Sequence, residues 1–285
     1  MSRILVLGST GMLGNAMLRV FAADPAHEVF GTARSGSALR YFSASLASRL
    51  RIGIDVENAD ALAAVMAELK PDVVINCVGV IKQLETANDP LAVLPINALL
   101  PHRLARLCAL GGSRLVHIST DCVFNGSRGG YLESDVSDAE DLYGRSKLLG
   151  ELTYAHTITL RTSIIGHELA SAHGLIGWFL SQEGPVRGFT KAIFSGLPTV
   201  ELASLIKDCV LPDSDLAGLY HVAARPISKY DLLDLVAEVY GKRIDIVPDE
   251  KLVIDRSLNA DRFNSATGYR PPDWPQLIKQ MHDFD

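Results

Sequence analysis

The chain has 285 residues, 48% hydrophobic and 21% charged, with a formal net charge of −6, the composition of a globular protein with a sizeable core. Its basic residues are scattered, which argues against a nucleic-acid partner, and no apolar run approaches the roughly 18 residues of a membrane span. Four widely spaced cysteines (Cys77, Cys108, Cys122, Cys209) form neither a metal pattern nor a disulfide framework and fit a reducing cytoplasm.

The N-terminal run Arg3–Leu7 reads as a short aliphatic strand and not a signal peptide, because it ends in a glycine turn instead of a cleavage site. The turn is Gly8-Ser9-Thr10-Gly11-Met12-Leu13-Gly14, followed by an apolar-periodic helix through Phe21. Strand, glycine turn and helix form a dinucleotide-binding opening. Gly8 and Gly11 let the turn, with Thr10, Met12 and Leu13, close on a pyrophosphate, which the helix N-terminus attracts. The second strand, Glu28–Ser35, ends in Thr32-Ala33-Arg34-Ser35 with no carboxylate. A carboxylate there would favour a free ribose hydroxyl, whereas Arg34, with Ser35, pairs with a 2′-phosphate; the expected cofactor is NADPH, with NADH as the alternative.

A third strand is expected over Arg51–Asp55, with Asp55 and Val56 near the adenine, and a fourth over Val73–Gly79, with Cys77, Val78 and Gly79 approaching the nicotinamide half. A single long helix follows from about Leu91 to Leu110, stopped by Gly111-Gly112, with Asn97 as a structural polar bridge. The next strand, Ser113–Ser119, delivers Thr120-Asp121-Cys122 to its carboxyl end, where site chemistry is expected in an open α/β sheet.

Tyr143 and Lys147 lie four apart at the head of an apolar, helix-like run. That spacing projects them side by side. An ammonium beside a phenol lowers its pKa and makes the tyrosine a plausible proton donor to a developing alkoxide. Further on, Thr157–Thr162 is a strand and His167–Pro198 an irregular segment expected to be a binding loop or lid. Val200–Val210 reads as a helix, Leu219–Val222 as a strand and Tyr230–Tyr240 as a helix capped by Ser228. Ile244–Val247 is a short β segment, and Pro271-Pro272-Asp273-Trp274-Pro275 opens a final short helix. The fold class is α/β: a doubly wound parallel (Rossmann) sheet over residues 1–165, with a smaller interleaved substrate-binding domain over 166–285, some of whose segments, about 200–222, return to the first. The eight histidines show no metal motif, and no metal is expected.

Together these motifs resemble the extended short-chain dehydrogenase/reductases. Within them the chain is most similar to the dTDP-4-dehydrorhamnose reductases and related nucleotide-sugar 4-ketoreductases. The resemblance is carried by Gly8-x-x-Gly11-x-x-Gly14, Ser119 to Gly126, Tyr131-x-Glu133, Leu142 to Glu151, Gly218 to Val222, Arg256 to Asn259 and Trp274, and spans almost the whole chain. It implies that Thr120 hydrogen-bonds a substrate carbonyl, Tyr143 donates the proton, and Lys147 holds the nicotinamide ribose and tunes Tyr143. It also implies that Asp121 and Cys122 meet the sugar and that Arg187 or Lys191 meets the diphosphate. The chain departs from the family at Cys122, often Tyr, and at Arg34, usually acidic. The implied activity is NADPH-dependent reduction of the C4 carbonyl of a nucleotide-linked 4-keto-6-deoxy sugar in the cytoplasm, by a protein that could form a homodimer. Alternatives are an extended-family epimerase or dehydratase, or a non-catalytic dinucleotide-binding regulatory subunit.

Overall fold

The computed structural model describes residues 1–82 and 85–284. Six strands of its large sheet come from the first part of the chain: β1 (Ser2–Leu7), β2 (His27–Ala33), β3 (Leu50–Ile52), β4 (Val73–Asn76), β5 (Arg114–Thr120) and β6 (Thr157–Thr162). The seventh, Gly218–His221, arrives late and pairs with β6. Across the sheet the order is Gly218–His221, β6, β5, β4, β1, β2, β3, and every pairing is parallel. This is the Rossmann arrangement. The direction of winding reverses between β1 and β4, and ligands of such sheets bind at that reversal, off the carboxyl ends of the strands.

The sheet is covered on both faces, which explains why its central strands are continuous apolar runs. Side chains alternate sides along a strand. Ile4 and Val6 therefore join one core with Phe21, Phe179 and Trp274, while Leu5 and Leu7 join a second with Leu62, Leu104 and Cys108. All four residues of β4 and all six of β6 are buried.

Several elements end where local chemistry turns the chain away from the expected course. The strand expected over Val73–Gly79 stops at Asn76. The buried Asn76 side chain accepts from the Val78 backbone N–H at 3.1 Å and meets His117 Nδ1 at 3.2 Å, which turns residues 77–79 out of the ladder. β2 stops at Ala33, so Arg34 and Ser35 lie on the loop beyond it. The third strand covers Leu50–Ile52, so Asp55 falls in the following loop.

The helix expected over Leu91–Leu110 is three pieces: Pro90–Leu94, a π-turn at Pro95–Leu99, and Leu100–Gly111. Pro95 and Pro101 offer no backbone N–H, so the regular ladder yields to a wider turn. The helix expected over Val200–Val210 likewise passes from α (Thr199–Leu205) to a π-turn (Ile206–Val210).

The stretch His167–Pro198 is more ordered than a loop or lid. It holds a helix, Leu175–Ser181, and the short strands Val186–Phe189, Ala192–Phe194 and Leu197–Pro198. Val186–Phe189 pairs with Ile246–Asp249. Ala192–Phe194 lies between Ile227–Ser228 and Ile254–Asp255. Strands this short leave too few alternations to be read as a pattern. The closing helix, Trp274–Phe284, packs Trp274, Leu277, Ile278 and Met281 into the first core. No helix among the described residues is long and apolar enough to cross a membrane.

Candidate active site

At the winding reversal the ends of β1, β4, β5 and β6 open into a cavity of about 480 Å³. Its dinucleotide side is built by close approach. A Cβ on Gly14 would stand 2.1 Å from the Gly8 carbonyl oxygen, so only glycine lets the helix Met12–Ala22 start this near β1. Thr32, buried on β2, fixes the turn: its hydroxyl accepts from the Gly8 N–H at 3.2 Å, and its carbonyl accepts from the Ser9 N–H at 3.1 Å. No side chain caps the helix at Gly11, which leaves its first N–H groups open to an anion. Gly11, Met12 and Leu13 line the cavity, as do Cys77, Val78 and Gly79 opposite them.

The chemical side comes from β5 and the helix Leu142–Leu149. Thr120 ends β5 and caps the short turn Asp121–Val123, its hydroxyl accepting from the Cys122 N–H at 3.1 Å and donating to Asp121 Oδ1 at 3.2 Å. The helix packs directly on this turn, because a Cβ on Gly144 would meet the Cys122 carbonyl oxygen at 2.2 Å. Its N-cap is Asp141, which accepts from the Gly144 N–H at 2.7 Å. Thr120, Tyr143 and Lys147 thus reach the same cavity.

Burial pushes the Tyr143 phenol up, and Cys122, Asp121 and Asp141 add to the shift, while a hydrogen bond with Thr120 opposes it. Burial depresses Lys147 to about 8, with Glu151 and Cys77 resisting. The Lys147 ammonium donates to the Ile118 carbonyl at 2.6 Å. Against the expectation from spacing, burial outweighs any lowering of the phenol by Lys147. The phenol is held protonated, as an acid that gives up a proton must be. Burial also raises the Asp121 carboxyl, opposed by hydrogen bonds from Cys122 and Thr120 and by the charges of Arg256 and Lys82. The Cys122 thiol is pushed up to about 11 by burial and by Asp121, which makes it a poor nucleophile.

Residues that sequence reasoning left out of the site hold these groups in place. Lys82 bridges Asp141 at 2.6 Å, with its ammonium 5.4 Å from the centre of the Tyr143 ring. Asn97, in the π-turn, accepts from the Val80 N–H at 2.9 Å and donates to the Val80 carbonyl at 3.0 Å and to Ser146 Oγ at 3.1 Å. One amide therefore ties the loop after β4 to the helix that carries Tyr143. Behind that helix, Glu151 takes two hydrogen bonds from Arg161, each 2.7 Å, and a third from Ser119 at 2.8 Å. Arg161 also meets His221 Nε2 at 3.3 Å, and His221 Nδ1 lies 3.0 Å from the Tyr131 carbonyl. The only sequence signal for this network is the recurrence of charged and imidazole residues inside apolar strands.

A family model described as the RmlD substrate binding domain matches residues 1–281. The chain belongs to this family. It is 25% identical over 315 residues to a dTDP-4-dehydrorhamnose reductase of Aggregatibacter actinomycetemcomitans, covering 100% of this chain and 99% of that protein. It is 26% identical over 260 residues to the methionine adenosyltransferase 2 subunit beta of Xenopus tropicalis, covering 84% of this chain and 72% of that one. In fold it matches a dTDP-4-dehydrorhamnose reductase of Bacillus anthracis solved with NADP, with a TM-score of 0.81 at 20% identity over 100% of this chain and 98% of that chain.

Within this RmlD-type chain the remaining candidates sit away from the cavity wall. Arg34 is exposed just beyond β2 and makes no hydrogen bond or ion pair among the described residues. Beside it Ser35 caps a short turn through the Ser37 N–H, and the two serine hydroxyls lie 3.0 Å apart. An unpaired guanidinium with two hydroxyls and no carboxylate is a donor set that fits a phosphate. Thr10 is exposed on the glycine turn. Asp55 is exposed and accepts from the Glu57 N–H, while the Val56 side chain is buried in the second core and serves packing. Arg187 does not reach the cavity: it is 69% exposed and faces Asp249 at 3.5 Å, and Lys191 pairs with Glu250. Among the described residues no group of three or more His, Cys, Asp or Glu side chains is placed to hold a metal ion.

Proposed function

We propose that this chain is an NADPH-dependent oxidoreductase that reduces the C4 carbonyl of a nucleotide-linked 4-keto-6-deoxy sugar, as a dTDP-4-dehydrorhamnose reductase does. The observation that carries the reading is a single cavity that Thr120, Tyr143 and Lys147 line together and that opens on the glycine turn, with burial pushing the Tyr143 phenol up. Bound NADPH would supply the hydride that reaches C4. Tyr143 gives its proton to the carbonyl oxygen, so the ketone becomes a secondary alcohol. Thr120, already fixed by the Cys122 N–H, orients that oxygen. Lys147, one helical turn on and lining the same cavity, stabilises the phenolate left behind. The glycine turn and the open helix start receive the pyrophosphate of the cofactor, and Cys77 to Gly79 flank its nicotinamide half.

Purified protein should oxidise NADPH in the presence of freshly generated dTDP- or UDP-linked 4-keto-6-deoxy sugars. Saturable NADPH binding without turnover on either would overturn the reductase reading and favour a regulatory subunit like the beta subunits among the relatives. Cofactor choice rests on Arg34. Arg34→Ala should weaken NADPH by roughly 10- to 100-fold, the range of a charge-assisted hydrogen bond, with NADH nearly unaffected. Equal effects on both cofactors, read by fluorescence titration, would remove Arg34 from the 2′-phosphate.

A further inference from the structure

Three lysines line the cavity, and two of them are occupied. Lys82 is bound to Asp141 and Lys147 to the Ile118 carbonyl. The third, Lys229, makes no hydrogen bond or ion pair among the described residues. Its backbone is held on both sides. It directly follows the strand Ile227–Ser228, whose register sets Ile227 against Phe194 and Ser228 against Ile193. It is also the first residue of the 11-residue helix Lys229–Val239. Phe194, packed against Trp274 at 5.8 Å, stands on the same cavity wall.

The nearby carboxylates are engaged elsewhere. Ser228 Oγ accepts from the Asp231 N–H at 3.0 Å and donates to Asp231 Oδ2 at 2.7 Å, which keeps that acid at the helix cap. Glu168, on the cavity wall, accepts from the Gly174 N–H at 2.7 Å and from Ser171 Oγ at 3.1 Å. The cations that the sequence suggested for a diphosphate, Arg187 and Lys191, face Asp249 and Glu250 instead. Lys229 is half-buried at the cavity, and no carboxylate neutralises its ammonium there.

We infer that Lys229 is the residue that binds the diphosphate of the nucleotide-linked substrate, with Phe194 as the wall beside it. This rests on the proposed function, since it assumes a substrate carrying a nucleoside diphosphate. The phosphate oxygens accept from the Lys229 ammonium, in the cavity that Tyr143 also lines.

The test is calorimetric binding of dTDP and of UDP, without any sugar, to the full chain saturated with NADPH. Lys229→Met should weaken the preferred diphosphate by roughly 10- to 100-fold, the worth of one hydrogen bond to a charged group. Lys229→Arg should stay within a few-fold of wild type, and Arg187→Ala should be unchanged. NADPH affinity, measured alongside, should be the same in all four proteins and reports that each is folded. If Lys229→Met binds the diphosphate as tightly as wild type, the role of Lys229 is overturned while the reductase reading stands. If wild type binds neither diphosphate at millimolar concentration, the nucleotide-sugar reading falls and the role of Lys229 falls with it.

Discussion

Tyr143→Phe should lower kcat on a keto-sugar substrate by about 10²- to 10⁴-fold, the usual contribution of a positioned general acid, while leaving NADPH affinity within about twofold. The substitution removes one oxygen and nothing else. Gly144 still seats the helix on the Cys122 carbonyl, and Asp141 still caps it. The ring keeps its place beneath the Lys82 ammonium, and the cofactor side of the cavity is untouched. The pH profile carries a second signature. The phenol lies too high to titrate near neutrality, so the first group to change charge as the pH rises is Lys147, at about 8. Once neutral, Lys147 no longer stabilises the phenolate, and kcat/KM should fall as the pH passes through about 8. A Tyr143→Phe enzyme turning over within threefold of wild type would show that another group supplies the proton.

Arg161→Met should destabilise the fold by about 3–5 kcal/mol, because it strands the Glu151 carboxylate in the interior with only Ser119 for company. Arg161 is 4% exposed and Glu151 12%, so water cannot take over the lost bonds. Thermal unfolding should drop by on the order of 10 °C. Adding Glu151→Gln to Arg161→Met should recover part of that loss, since a neutral amide costs less to bury than a lone carboxylate. A single variant within about 1 kcal/mol of wild type would mean that Glu151 reaches solvent. The same cluster makes stability depend on pH. Burial, then the Arg161 charge, depress His221 from its ordinary 6.5 to about 4. The unfolded chain therefore takes up this proton first. The stability from His221 is complete above pH 6.5 and is lost as the pH falls toward 4, by up to about 3 kcal/mol.

The sequence exposed those parts of the molecule whose chemistry is local. The first strand and its glycine turn could be read because tight approach permits only glycine at Gly14. β6 could be read to the residue because Thr157, Ile158, Thr159 and Thr162 are β-branched residues that favour a strand. Thr120, Tyr143 and Lys147 meet on one cavity wall because one strand end and one helix turn carry all three. Contacts made by the order of strands across the sheet were not legible. Glu151, Arg161 and His221 lie on three separate segments and meet only once Gly218–His221 is docked on β6. Lys82 and Lys229 come from distant segments of the chain to the same cavity, and nothing in their neighbouring residues announces it. Arg187 looked suited to a phosphate by composition alone, but its strand pairs with Ile246–Asp249, which presents Asp249 to it. The π-turn at Pro95–Leu99 was hidden for a different reason: proline was visible, but the side chain of Asn97 within the turn bonds to Val80, on a loop elsewhere.

The late arrival of the seventh strand bears on how the protein is made. A ribosome delivers β6 well before Gly218–His221, and until His221 has emerged one long edge of β6 has no partner. That edge is a row of unpaired backbone N–H and C=O groups until then, the kind of surface that recruits a stray strand from another chain. The pairing between them spans about sixty residues of intervening chain, so it closes slowly compared with neighbouring strands. Nascent chains stalled between these two strands should therefore be the species that chaperones hold and that aggregate when expression is fast.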